Sequence, residues 1–194
     1  MPVNISIASP ADAEELLAIY APYVRDTVIT FEYDVPGVQE FAQRIASTLQ
    51  RFPYLVARDS DTGAALGYAY VGTFHARPAY DWTVETSIYV DGAARGKHVG
   101  RTLHDALVAA CREQGILSLE ACIAYPDEGG SVGFHEHMGY RMVGRFEQCG
   151  YKLGAWRDMV WMELHIGSHL GTPEPFKPFP QIREQVAQLL AGAR

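Results

Sequence analysis

The sequence predicts an α/β fold in which a mixed, twisted sheet is flanked by helices, and three patterns support this prediction. Residues 83–107 pass from a β-branched strand pattern, through a loop with glycine and basic residues, to the apolar spacing of a helix. A second strand pattern follows at 117–123, and because a whole helix separates the two strands, we expect them to run parallel. Strand patterns joined by turns at 54–74 and 140–166 add antiparallel pairs.

The N-terminal part predicts an edge strand and two helices. Weak alternation at 4–8 indicates the strand, and Ser9 followed three residues later by Asp12 is typical of a helix N-cap. Pro22 is expected to kink or end the first helix. A run at 28–33 is rich in β-forming residues. The second helix has an apolar face made of Phe41, Ile45 and Leu49.

The central strand at 83–90 has two chemically different faces. Alternation places Val84 and its apolar neighbours on one face, and a carboxylate, a hydroxyl and a phenol on the other. The polar face consists of Glu85, Ser87 and Tyr89. Such content is unusual on a buried strand, so this face is a candidate site. The helix that follows the loop is expected to end at Gly115.

The C-terminal part predicts a short helix and a strand pair. Ser131 is expected to cap a helix that runs through Met138. Strands at 140–146 and 158–166 are expected to pair around a loop at 150–154.

The last stretch of the chain changes character. Residues 172–180 are rich in proline and are expected to be extended rather than packed. A further short helix is predicted at 182–190. We therefore divide the chain into one domain at 1–166 and a proline-rich tail at 167–194.

Composition excludes several classes of partner. The formal net charge of −7 disfavours nucleic acid and anionic membranes. No apolar run approaches the roughly 20 residues of a membrane helix, and the N-terminus lacks a signal-peptide pattern. The cysteines are widely spaced and odd in number, which predicts buried free thiols in a reducing cytoplasm. They are Cys111, Cys122 and Cys149, and exposure is the alternative for Cys149 because a glycine follows it in a loop.

The loop after the central strand has the composition of an anion site. The first turn of a helix has N–H groups without intrahelical partners and a partial positive charge. Glycines let a ligand approach the backbone, and Arg95, Lys97 and Arg101 add charge. These features indicate a pyrophosphate site, with an ordinary basic surface loop as the alternative. The spacing fits neither the Rossmann nor the P-loop pattern.

The same loop resembles the signature of a known enzyme family. Residues 95–100, Arg-Gly-Lys-His-Val-Gly, are similar to Arg/Gln-x-x-Gly-x-Gly/Ala, although His98 replaces the central glycine. More specific stretches lie at 76–85, 88–90 and 135–140. Together they resemble the GCN5-related N-acetyltransferases (the GNAT superfamily), and in particular the phosphinothricin and methionine sulfoximine N-acetyltransferase group. The resemblance covers roughly residues 5–164.

The resemblance implies acetyl-CoA as co-substrate and two central parallel strands that splay apart to admit it. Backbone groups of Ile88, Tyr89 and Val90 are expected to bind the pantetheine arm. The pyrophosphate is expected to lie on Arg95, Gly96, Lys97, His98, Val99, Gly100 and Arg101. Glu128 stands near the position where the family often has an asparagine that touches the pantetheine.

Two residues are candidates for catalysis. Amide formation from a thioester requires the amine to lose a proton and the leaving thiolate to gain one. Glu85 is the candidate base, because burial raises the pKa of a carboxyl group, and the family's catalytic glutamate falls on it. The alternative is a buried glutamate paired with Arg77. His135 stands where the wider superfamily often has a tyrosine that is assigned as the acid for the leaving thiolate. It is expected to act as base or acid. A surface histidine is the alternative.

The acceptor site is expected to consist of Phe31, His75, Arg77, Tyr80 and Tyr89. The bidentate guanidinium of Arg77 suits a substrate carboxylate or phosphinate, and a surface ion pair is the alternative. Herbicide-resistance members of the family carry lysine where this chain has His75. That difference weakens the case for phosphinothricin itself and leaves a small amino-acid-like acceptor.

The predicted activity is direct transfer of the acetyl group from acetyl-CoA to the amine of such an acceptor, without a metal. One alternative is an acetyltransferase for a peptide or protein N-terminus, which needs an open groove. Another is a non-catalytic acyl-CoA-binding sensor. A homodimer is implied by the resemblance.

Overall fold

The computed structural model describes residues 3–127 and 129–192. One seven-stranded sheet has the order β1-β2-β3-β4-β5-β7-β6. Its strands are β1 Val3–Ile7, β2 Tyr54–Asp59, β3 Ala65–Thr73, β4 Thr83–Val90, β5 Ser118–Tyr125, β6 Arg141–Lys152 and β7 Ala155–His165. The α-helices are α1 Ala13–Asp26, α2 Val38–Leu49, α3 Val99–Gln114, α4 Ser131–His137 and α5 Phe179–Gly192.

The sheet is mixed because β4 and β5 are parallel while the neighbouring pairs are antiparallel. The parallel ladder has three pairs, from Thr83 with Ser118 to Glu85 with Glu120. Beyond Glu85, β4 stays paired with β3 and β5 stays paired with β7, so the two central strands separate. The predicted α/β fold with splayed central strands is confirmed.

The sequence predicted that Pro22 kinks or ends the first helix. It does not end α1, since the helix continues to Asp26. The ring itself is exposed, whereas the next two residues, Tyr23 and Val24, are buried in the core. Packing of the turn that follows therefore outweighs the hydrogen bond that proline cannot donate. The β-rich run at 28–33 also differs from expectation, because it forms neither strand nor helix between α1 and α2.

Two helix starts combine side-chain and backbone caps. Ser9 and Asp12 form the predicted capping box, with a short 3₁₀ turn before α1. Ser131 is the first residue of α4 rather than its cap, and Gly130 takes the cap position at φ 75°. The side chain of Asp127 caps the start of α4, since its carboxylate accepts a hydrogen bond from the N–H of Val132 at 2.7 Å.

The final hairpin is longer than predicted. β6 runs to Lys152 and β7 starts at Ala155, so most of the expected loop at 150–154 belongs to the strands. The register shifts between Phe146 and Gly150, which marks a bulge in β6.

Residues 173–178 have no regular secondary structure, as expected for an extended segment, but parts of the segment contact the rest of the fold, which was not expected. Phe176 lies edge-on against Phe52 at 5.9 Å, and the N–H of Lys177 donates to the Gln114 carbonyl. Helix α5 then lies against α3 and β1. Its buried residues are Phe179, Ile182, Val186 and Leu190. The division of the chain at 166/167 stays a prediction.

All three cysteines are free thiols, but only Cys111 is buried as predicted. Cys122 is exposed because β5 loses its neighbour where β4 turns away, and Cys149 lies in the bulged region of β6. Within the described ranges, we find no helix with the length and hydropathy needed to cross a membrane.

Candidate active site

The separation of β4 and β5 opens a cavity of about 930 Å³. Its sides are the parted strands, the connection between α1 and α2, the loop before α3, and the start of α4. Glu85, at the point where the strands part, lies at one side of this space, and the loop at 95–101 lies at another. The cavity therefore joins the predicted catalytic carboxylate to the predicted anion site.

The loop before α3 presents backbone to the cavity through two left-handed residues. Gly96 has φ 74° and His98 has φ 64°, and α3 begins immediately after His98. Left-handed backbone is strained for histidine and free for glycine, which explains why glycine suits position 98 in the resembling signature. The loop residues that line the cavity are Arg95, Gly96, His98, Val99, Gly100 and Arg101. Lys97 is exposed and lies outside the set of lining residues.

The edge of β4 that faces the cavity is partly occupied by a tyrosine hydroxyl. The Tyr23 hydroxyl donates to the Val90 carbonyl at 2.6 Å and accepts from the Val90 N–H at 3.2 Å. Asp91 donates to Leu66 of β3, so strand alternation points the backbone of Tyr89 toward β3 and that of Ile88 toward the cavity. Ile88 thus has the better placed backbone for a pantetheine arm, and a contact by Val90 has to displace Tyr23.

Glu85 is half-buried and lines the cavity. Burial raises the pKa of this carboxyl group above its ordinary value, and among the described residues no charged neighbour contributes to the shift. The cause is therefore desolvation and not a partner such as Arg77. A carboxylate with a raised pKa at the wall of a cavity is suited to accept a proton.

His135 lines the same cavity with its tautomer fixed. Its Nδ1 lies 2.7 Å from the Ser131 carbonyl oxygen, so the ring proton is assigned to Nδ1 and the lone pair to Nε2. Burial lowers the pKa of this imidazole, and the Tyr140 ring lies edge-on to it at 4.8 Å. At neutral pH the ring is therefore uncharged, with an Nε2 that accepts a proton and has none to give.

The structure brings two of the five predicted acceptor residues to the cavity. Phe31 and Tyr89 line it. His75 and Tyr80 lie outside it with their rings 4.9 Å apart, and Arg77 is exposed on the same loop. Glu128 lies outside the described residues.

Several residues that line the cavity were missed by sequence reasoning. Tyr70 is paired across the sheet with Ser87, and alternation along β3 would have placed it on the polar face. Glu32 and Thr30 come from the irregular connection after α1, where no periodic signal exists. Cys122 and Met159 line the cavity from β5 and β7.

Comparison with known proteins gives consistent matches. The family model described as an acetyltransferase (GNAT) domain matches residues 5–161. A phosphinothricin N-acetyltransferase of Streptomyces viridochromogenes is 33% identical over 93% of this chain and 97% of the relative. An L-methionine sulfoximine/L-methionine sulfone acetyltransferase of Pseudomonas paraeruginosa is 34% identical over 89% of this chain and all of the relative.

A solved structure extends the match to three dimensions. The phosphinothricin acetyltransferase of Sinorhizobium meliloti, crystallised in complex with AcCoA, has a TM-score of 0.85. It is 33% identical, and the match covers 92% of this chain and 97% of that one.

Proposed function

Because the chain belongs to the GNAT acetyltransferase family, we propose that it transfers the acetyl group of acetyl-CoA to the amine of a small amino-acid-like acceptor, of the phosphinothricin or methionine sulfoximine type. The observation that carries the proposal is the position of Glu85. It lies where β4 and β5 part and beside the cavity that this parting opens.

The residues present fit acetyl-CoA. Gly96 and His98 turn the chain so that the start of α3 faces the cavity, and Arg95 and Arg101 line it with positive charge. Such a helix start with basic residues suits a diphosphate. The backbone edge of β4 at Ile88 suits the amide groups of a pantetheine arm. When bound, acetyl-CoA supplies the activated acetyl group.

The chain's own part in the chemistry is to position the reactants and to accept the proton of the amine. Glu85 takes this proton, directly or through a water molecule, and its raised pKa supports that role. His135, with Nε2 unprotonated, is a second proton acceptor in the same cavity. The favoured role of His135 is thus base, although the sequence left base and acid open.

The acceptor is proposed to lie against Phe31 and Tyr89, on the Glu85 side of the cavity. The β3–β4 loop carries the other three predicted acceptor residues, His75, Arg77 and Tyr80. They reach the site if this loop moves toward the cavity, or if a second protomer places its own β3–β4 loop there. A homodimer with shared acceptor sites is therefore part of the proposal.

The proposal excludes nucleic acid and membranes as partners, in line with the net charge of −7. It places the enzyme in the cytoplasm, and the three free thiols support a reducing compartment.

The test is mass spectrometry of the products formed from acetyl-CoA and a panel of free amino acids, phosphinothricin, methionine sulfoximine and short peptides. Acetylation of free amino-acid-like amines with little on peptides supports the proposal. Acetylation of peptides alone identifies an N-terminal acetyltransferase. Binding of acetyl-CoA with no acceptor acetylated identifies a sensor, and either of these results overturns the proposal.

A further inference from the structure

The first part of the connection between α1 and α2, residues 27–33, is here called the acceptor loop. It has no regular secondary structure, yet it forms the wall of the cavity that faces the proposed acceptor. A segment without a helix or strand ladder keeps its position only through contacts with its neighbours. The contacts made by Thr30, Phe31 and Tyr33 therefore decide the shape of this wall.

Thr30 is held from two sides. The ammonium of Lys152 donates to the Thr30 carbonyl at 2.7 Å. The Thr30 hydroxyl is hydrogen-bonded to the Tyr20 hydroxyl at 2.8 Å, and the Tyr20 ring lies edge-on to Tyr89 at 4.9 Å. The first contact comes from the β6–β7 hairpin and the second from α1, so Thr30 joins two separate parts of the fold.

The residues just before Lys152 hold the rest of the acceptor loop. Phe31 packs so closely on Gly150 that a Cβ atom there would lie 2.5 Å from the Phe31 ring. The Tyr33 hydroxyl donates to the Tyr151 carbonyl. Three consecutive residues at the end of β6 thus contact three residues of the acceptor loop, which lies about 120 positions earlier in the chain.

Lys152 is an unusual residue for this place. It is 2% exposed, and lysine is almost never so buried unless its charge is matched. Burial lowers the pKa of its ammonium, while the nearby Glu32 carboxylate acts in the opposite direction. Glu32 is itself held by Arg44, at 2.6 and 3.3 Å, and lines the cavity. The ammonium of Lys152 therefore binds the acceptor loop rather than solvent.

We propose that Lys152 is a positioning residue for the acceptor: through Thr30 it sets the place of Phe31, so that the end of the β6–β7 hairpin determines how the acceptor amine is aligned. The inference rests on the proposed function. It assigns no contact between Lys152 and the substrate. We expect the cofactor loop at 95–101, which takes part in none of these contacts of Lys152, to be unaffected.

The first test compares Lys152→Met with Lys177→Met. Methionine keeps the length and apolar stem of lysine and removes the donor, and Lys177 is an exposed lysine outside the cavity. We expect Lys152→Met to raise the acceptor KM by about tenfold, as for loss of one charged hydrogen bond, with acetyl-CoA KM changed by less than about twofold. An unchanged acceptor KM, or an equal rise in both KM values, would overturn the proposal.

A second variant covers the case in which Lys152→Met does not fold. Gly150→Ala leaves Lys152 in place but pushes on the Phe31 ring, and we expect the same selective rise in acceptor KM. Wild-type KM values for acceptor and acetyl-CoA from Gly150→Ala would contradict the inference.

Hydrogen–deuterium exchange separates failure of the inference from failure of the proposed function, because it needs no acceptor. We expect faster exchange in peptides covering 27–33 for Lys152→Met than for Lys177→Met, with unchanged exchange at 95–101. If wild-type enzyme acetylates no acceptor, the proposed function fails, and this exchange result still decides whether Lys152 fixes the acceptor loop. Equal exchange in the two variants would count against it.

Discussion

Glu85 and Glu120 are partners in the last pair of the parallel β4–β5 ladder, so the two carboxyl groups project from the same face of the sheet. Their environments differ. Glu85 lines the cavity, whereas Glu120 is 7% exposed. Burial raises the pKa of Glu120 to about 7, with a further rise caused by the Glu163 carboxylate. The fold thus places one carboxyl group where a ligand reaches it and encloses its neighbour.

Glu120 makes the stability of the protein depend on pH. Its folded-state pKa of about 7 lies above the ordinary value of 4.5, so the folded state holds a proton that the unfolded state loses between these values. Stability should therefore fall as pH rises from about 5 to 7. We expect Glu120→Gln to stabilise the protein at pH 8, by up to about 3 kcal/mol, and to have little effect at pH 4.5.

Urea denaturation at the two pH values measures this effect. Glu113→Gln, on the exposed side of α3, is the matched control and should be neutral at both. A Glu120→Gln variant that is less stable than wild type at pH 8 would show that the buried carboxylate is matched by a favourable partner.

His135→Ala should lower kcat by about 10- to 100-fold, the range for loss of a group that accepts a proton. The pKa of His135 is below its ordinary 6.5, so its base form is already complete at neutral pH and is lost only in acid. The pH profile of kcat measures this, and the loss should shrink only in acid, at pH values low enough to protonate the wild-type imidazole as well. His165→Ala, on the exposed end of β7, is the control. A variant with wild-type kcat would leave His135 without a chemical role.

Arg101 should contribute to acetyl-CoA binding through charge. It lines the cavity, is 58% exposed, and forms a loose ion pair with Asp105 at 3.7 Å. We expect Arg101→Ala to raise acetyl-CoA KM by about three- to tenfold at low salt and by less in about 0.5 M salt. Arg183→Ala removes the same charge from α5 and should not change KM. A rise in acetyl-CoA KM that does not depend on salt would show that Arg101 acts through packing and not through its charge.

The C-terminal helix should be essential for stability although the family model ends at residue 161. Phe179 is fully buried in the core. Phe179→Ala should lower the free energy of unfolding by about 3–5 kcal/mol, measured by urea denaturation. Gln185→Ala, on the exposed face of α5, should be neutral. Equal stability of both variants would mean that α5 is dispensable.

The sequence predicted correctly those helices and strands that depend on local residue patterns. The order of strand, loop and helix through β4 and α3 follows from β-branching and apolar spacing, and the parallel partner follows from the length of the crossover. The apolar spacing of Phe179, Ile182 and Val186 was also readable in the sequence. The contacts of the preceding segment were missed, because its prolines indicate an extended chain and an extended chain can still bury its side chains.

The site was predicted less completely, because much of it is made by contacts between distant parts of the chain. Glu85, His135 and the loop at 95–101 were predicted from their positions and from the resemblance, and the structure brings Glu85, His135 and most of that loop to one cavity. The acceptor loop has no periodicity of its own, and the Lys152–Thr30 hydrogen bond spans 122 positions. Tyr23, which binds the Val90 backbone, follows Pro22, where the sequence predicted a kink or an end of the helix and so no site residue.

The most direct test of the account is the turnover of Glu85→Gln measured together with CoA affinity by calorimetry. Glutamine keeps the size of the side chain and cannot take a proton from the amine. Proton acceptance by Glu85 predicts at least about a tenfold loss of kcat with unchanged CoA affinity. Wild-type kcat in this variant would contradict the assignment of Glu85 and, with it, the reading of the cavity as an acetyl-transfer site.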